Sequence, residues 1–265
     1  MRISSFSFFS VLLIAIAFGS GVHAFDPSKV MHEESSTEDV FNLFFDFRKD
    51  GREDDAVSVL EYAADNGDSA AQWKLARIYQ TGDGVERDPL KAFNFFQKIA
   101  SRYTTARPNT ANWQFSASAL VALGNYYRRG IPNTWVKPDP VSAKMMYTTA
   151  ATIFRHPDAE FELGRMQLQK GGAFGTGIRG IANLGKAHRK GHVGATAVLG
   201  YAIFNGDHVE RDPVRGLVLL GKARHRADAE NFGWISEMHD EAMSLATPEE
   251  RAAAAGQLSL QLASD

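Results

Sequence analysis

An octapeptide occurs twice in this chain, as Gly82-Asp-Gly-Val-Glu-Arg-Asp-Pro89 and as Gly206-Asp-His-Val-Glu-Arg-Asp-Pro213, with seven of eight positions identical. Its surroundings repeat as well: Leu75-Ala76 and Leu199-Gly200 each stand seven residues before the first Gly. Two further copies share the pattern. Leu123-Gly124 leads through Tyr127 to Gly130 and Asp139-Pro140, and Leu163-Gly164 leads to a Gly-rich turn and Arg179-Gly180. The last two copies align without a gap at an offset of 36, so Leu184-Gly-Lys-Ala187 recurs letter for letter as Leu220-Gly-Lys-Ala223. Spacings of 48, 40 and 36 between the four Leu positions call for stacked two-helix units, whose neighbours bury each other's apolar faces. The expected fold is all-α, a right-handed superhelical solenoid.

Each unit has a physical reading. Its first helix carries Leu75, Ala76 and Tyr79 or their equivalents. The small residue at 76, 124, 164 and 200 weakens an isolated helix, by up to about 1 kcal/mol for Gly against Ala. Close approach of a neighbouring helix is the expected compensation. Gly82, Gly130 and Gly206 are expected to end the helix in a left-handed conformation. Asp88-Pro89, Asp139-Pro140 and Asp212-Pro213 restart it, with Asp as N-cap and Pro in the first helical position. In the second helix, Ala92, Phe93, Phe96 and Ile99 fall on one face, and Phe93, Phe95 and Phe96 are expected in the core.

Helices are also expected outside the four copies: 37–49 with 53–65 as a degenerate first repeat, 229–245, and a last one opened by the capping-box sequence Thr247-Pro-Glu-Glu250. The chain thus divides into 1–24, an N-terminal helical part 25–69, an array 70–228 (units 70–111, 112–158, 159–194, 195–228) and capping helices 229–265.

Segment 1–24 reads as a secretory signal: Arg2, an apolar run from Phe6 to Phe18, then Val22-His23-Ala24. That run falls short of the roughly 20 apolar residues a permanent anchor needs. Cleavage is expected between Ala24 and Phe25, leaving a mature chain without membrane insertion. The chain has no Cys, which removes disulfides, thiol nucleophiles and Cys-based zinc sites. A formal charge of −2 gives no electrostatic case for nucleic acid.

Three motifs invite a sharper reading. Gly175-Thr-Gly177-Ile-Arg-Gly180 has dinucleotide-loop spacing, but a helix, 161–168, is expected where a strand is required, and Thr176 is read as a substitute N-cap. His188 and His192 lie four apart as zinc ligands on a helix would; Gly191 interrupts that helix, and both are read as solvent-exposed. The carboxylates sit on polar helix faces or ends, and no nucleophile elbow is present. No cofactor, metal or catalytic group is therefore assigned. Trp113 and Trp135 lie in insertions whose packing the repeat does not dictate, and both are candidate partner contacts.

The unit from Leu75 to Ala100, and that from Leu199 to Ala223, resemble the Sel1-like repeat, a relative of the tetratricopeptide repeat. The second copy departs by an insertion, and the third lacks the Tyr and the Asp. The whole chain resembles the ExoR type of periplasmic negative regulator of exopolysaccharide production. That resemblance implies a protein that holds inactive the periplasmic sensing domain of a sensor histidine kinase of the ExoS/ChvG type. It implies relief at acid pH through degradation, with a periplasmic protease as second partner. A scaffold or glycan-binding adaptor of the envelope is the alternative. His188, His192, His208 and His225 are the candidate acid-responsive groups, on the expectation that they cluster beside Lys and Arg.

Overall fold

The computed structural model describes residues 25–32, 35–169, 177–227 and 229–263, and every regular element among them is helical. After a short 3-10 turn come α1 (Thr37–Lys49) and α2 (Glu53–Asp65), then the pairs α3 (Ser69–Thr81) with α4 (Pro89–Ala100) and α5 (Ala111–Arg129) with α6 (Pro140–Thr152). The pairs α7 (Pro157–Leu168) with α8 (Gly177–Arg189) and α9 (Val193–Asn205) with α10 (Pro213–Arg226) follow, then α11 (Ala229–Leu245) and α12 (Pro248–Leu262). From α1 to α10 each helix packs on the next in sequence, and α1–α3, α3–α5 and α7–α9 also touch, which makes a solenoid with its odd-numbered helices in one row. α11 and α12 close the array by packing on α9 and α10.

The turn inside each unit is built the same way three times. The backbone N–H of Asp88, Asp139 and Asp212 donates to the carbonyl of Tyr79, Tyr127 and Ile203. The side chain of each Asp then accepts from the first-turn amides of α4, α6 and α10, with Pro at the start of each helix. For Asp212 the acceptor bond is 3.0 Å from the Arg215 amide, and Asp212→Ala is expected to cost about 1 kcal/mol, read as a lower Tm in a thermal melt. Gly82 and Gly206 end their helices in the left-handed region, at φ 79° and 78°. Gly130 does not: φ 70° with ψ 178° is a conformation only glycine adopts readily, imposed because the chain must leave α5 into an insertion instead of a tight turn.

The small residues answer to helix crossings. A Cβ at Gly200 would lie 2.9 Å from the Gly216 carbonyl oxygen, and one at Gly164 would lie 3.1 Å from that of Gly180. The two helices of each of these units therefore touch backbone to backbone. At Gly124 the facing group is the ring of Tyr147, fully buried with its hydroxyl donating to Asn125 Oδ1 at 2.8 Å. Burial pushes the Tyr147 hydroxyl up to about 12.

Neighbouring units are stapled by a contact with a constant sequence separation of 35. Arg102 donates to the Gly67 carbonyl (3.1 Å), Lys190 to that of Arg155 (2.7 Å) and Arg226 to that of Gly191 (3.5 Å). Each cation at or just past the end of an even-numbered helix thus meets a carbonyl just past the even-numbered helix before it, where the helix dipole is negative. At the N-terminal end Arg48 grips Asp83 through both terminal nitrogens at 3.0 Å, tying α1 to the first turn and holding the Asp83 carboxyl below its usual range.

Candidate functional site

The array places its candidate functional groups at two junctions between units. The first is the insertion after Gly130. It folds back on itself through a bond from Ile131 N–H to the Val136 carbonyl (2.8 Å), with both side chains buried. Trp135, which lies between them in the chain, is left 63 % exposed, its ring meeting Phe93 in a T-shaped contact with centroids 5.5 Å apart. α6 follows directly, and Val141 and Met145 on it and Ile153 at its C-cap are exposed. Soluble monomers rarely display so many large apolar groups in one region without a use for them. Trp113 is different. It sits in the first turn of α5 rather than in a free insertion, and its ring meets Phe154 at 4.2 Å, which makes it a packing residue.

Charge is distributed by position along the solenoid. Residues 25–68 carry thirteen Asp and Glu against four Lys and Arg, whereas residues 70–169 carry seven against thirteen. The segment that presents Trp135 is therefore basic, while the end of the array before it is acidic.

The second junction lies between the α7–α8 and α9–α10 units. The N-cap position that Asp68 fills for α3 is filled by His156 for α7 and by His192 for α9. His192 caps with its ring: Nδ1 accepts from the Ala195 amide at 3.0 Å. The proton of the neutral ring is therefore assigned to Nε2, which faces Asp158 Oδ1 at 3.5 Å. The ring stacks on Phe161, centroids 4.4 Å apart, and burial pulls its pKa down, partly offset by Asp158. His156 is also drawn down by burial, and its Nδ1 is enclosed without a hydrogen-bond partner. Beside it Glu160, 3 % exposed, pairs with Lys190 at 2.6 Å. His188 bonds to the Thr196 hydroxyl (2.9 Å) and is lowered by burial and then by Arg189, Lys222, Arg215 and Arg226.

These positions correct the reading of His188 and His192 as solvent-exposed. The four expected histidines do not gather in one place. His188 and His225 line one cavity with Lys222 and Arg226, His192 is turned toward α7, and His208 is exposed on the turn at φ 60°. His156 was missed because nothing in a lone His-Pro pair marks it; its alignment with Asp68 and His192, each just after the stapled carbonyl, was the available signal.

Among the described residues no group of three or more His, Asp or Glu is placed to hold a metal ion. Of the Gly175–Gly180 motif, 177–180 form the first turn of α8, which α7 precedes; Gly175 and Thr176 lie outside the described residues. Ala24 also lies outside them, while Phe25 packs on Phe47 at 4.6 Å. No helix among the described residues is long and apolar enough to cross a membrane.

The Sel1 repeat family model matches residues 69–102, 117–152 and 193–226. A protein of Rhizobium meliloti (strain 1021) named exopolysaccharide production negative regulator is 34 % identical over 246 residues, covering 91 % of this chain and 90 % of the relative. A protein of Rhizobium leguminosarum bv. viciae with the same name is 32 % identical over 257 residues, covering 95 % and 94 %. The crystal structure of a Sel1 repeat protein from Oxalobacter formigenes shares the fold, with a TM-score of 0.57 at 19 % identity over 83 % of this chain and 91 % of that one.

Proposed function

This chain belongs to the Sel1-repeat family of exopolysaccharide production negative regulators, and from that premise we propose that it represses exopolysaccharide production from the periplasm by gripping the sensing domain of a two-component sensor histidine kinase. The observation that carries the reading is likeness to two such regulators along nearly the whole chain. Repeat arrays suit the task because they offer a long surface on a rigid frame. Within that surface, Trp135 is the strongest candidate anchor, a large aromatic group packed on Phe93 in a segment of net positive charge.

Co-purification of the exported chain with the isolated sensing domain at neutral pH tests the reading, and absence of a complex would sink it. Trp135→Ala is expected to weaken that complex at least tenfold in a titration, with no change in helical content because the ring is mostly outside the core.

Relief at acid pH has support in the second junction. A histidine that caps through Nδ1 must be neutral to do so, and one that gains a proton places positive charge on a helix N-terminus that already carries it. Protonation of His192 removes a cap from α9 and loosens the α7–α9 contact, giving a periplasmic protease an opened unit to cut.

A further inference from the structure

We propose that the cavity between the α3–α4 and α5–α6 units binds a carboxylate-bearing saccharide of one or two rings. The cavity measures about 620 Å³, within the range of small-molecule sites. It lies between the turn 87–90 on one side and the end of α5 with its insertion on the other.

Its polar wall is rich in donors. Arg87 is held by a bond from Nε to the Gln80 carbonyl at 3.1 Å, so its position is set before any ligand arrives. Arg129, across the cavity, makes no hydrogen bond or ion pair among the described residues. Asn125 has its Oδ1 occupied by the Tyr147 hydroxyl, which leaves its NH₂ group as the part free to donate. The single carboxylate in the lining, Asp88, accepts through Oδ1 from the Leu90 and Lys91 amides at 3.0 and 2.9 Å, and the two guanidiniums outnumber its charge. Two guanidiniums and an amide therefore face a ligand that must be acceptor-rich and anionic, and forked guanidiniums match a carboxylate in two bonds.

The rest of the lining mixes an apolar patch, Pro89, Leu90, Ile131 and Pro132, with the polar groups of Gln80, Tyr126 and Thr134. A bare anion has no use for such a patch, whereas a sugar ring has an apolar C–H face beside its hydroxyls. An extended acidic peptide fits less well. Its backbone would need a sheet edge or a row of free backbone groups to pair with, and the lining is helix and closed turn. The assignment does not depend on a protein partner, since every group named belongs to the cavity itself.

Calorimetric titration of the purified protein tests it with four probes: digalacturonate, cellobiouronate, cellotriose and a tetraglutamate peptide. At least one uronate disaccharide is expected to bind, with cellotriose at least tenfold weaker. Arg129→Gln is expected to weaken uronate binding at least tenfold and Arg129→Lys to recover part of it, with unchanged thermal melts because Arg129 is exposed. Binding of neither uronate, equal binding of cellotriose, or uronate binding unaffected by Arg129→Gln overturns the proposal. Tighter binding of the peptide than of either uronate also overturns it and reassigns the cavity to an acidic protein segment.

Discussion

Gly216→Ala is expected to destabilise the array by about 3 kcal/mol, a large share of the margin by which any domain is folded. The added methyl would sit 2.7 Å from the Gly200 carbonyl oxygen and 2.7 Å from the backbone nitrogen of Phe204. Both are backbone groups of α9, so no side chain can turn aside to make room. Alanine gains about 1 kcal/mol over glycine as a helix former, which offsets only part of the clash. The control is Gly256→Ala in α12, where a Cβ meets nothing within 4 Å. There the helix gain stands alone, and the variant is expected to be slightly more stable than the parent. Thermal or denaturant melts of the two variants decide the matter: a Gly216→Ala protein as stable as Gly256→Ala would remove the backbone-contact account of the crossing.

Lowering the pH through 6.5 is expected to take stability from the junction between the last two full units. His156, His188 and His192 each have a folded-state pKa below the ordinary value of 6.5, with burial the largest cause. Between that folded value and 6.5 the unfolded chain binds more protons than the folded one, so stability rises with pH there. The contribution is fully present above 6.5 and is lost as pH falls below it. Each such histidine contributes at most about 1.4 kcal/mol per pH unit in that window.

The charges around the rings set the balance. Asp158 and Glu162 favour the proton on His192 while burial and His156 oppose it, and Lys190 works against it on His156. His192→Asn keeps a capping side chain that cannot titrate. The expected result is a shallower loss of stability between pH 7 and 5.5 and slower acid-induced proteolysis, whatever the change at pH 7.5 from losing the ring stack on Phe161. A pH profile parallel to that of the parent would show that His192 is not a titrating cap.

Why some of this was legible in advance is clear from particular residues. The α1 and α2 limits, the Asp-Pro starts of α4, α6 and α10, and the capping box at Thr247 all follow from local chemistry. The small residues at 124, 164 and 200 also announced their role, because a glycine inside a helix is a local cost that only a close neighbour repays. Trp113 and the histidines were another matter. Trp113 was placed in an insertion, yet α5 begins two residues earlier and folds it onto Phe154, a residue 41 positions away. His156 and His192 share a junction only because one unit stacks on the next.

By itself, then, the sequence determined the helical repeat, its caps and its turns, since these depend on φ preferences, N-cap acceptors and apolar spacing within about forty residues. Tertiary structure alone decided which side chains meet across units: Arg48 on Asp83, Lys190 beside Glu160 and His156, Arg87 opposite Arg129. Those meetings depend on the rotation and offset between stacked units, which are set by the side-chain volumes in the shared core and leave no periodic trace along the chain.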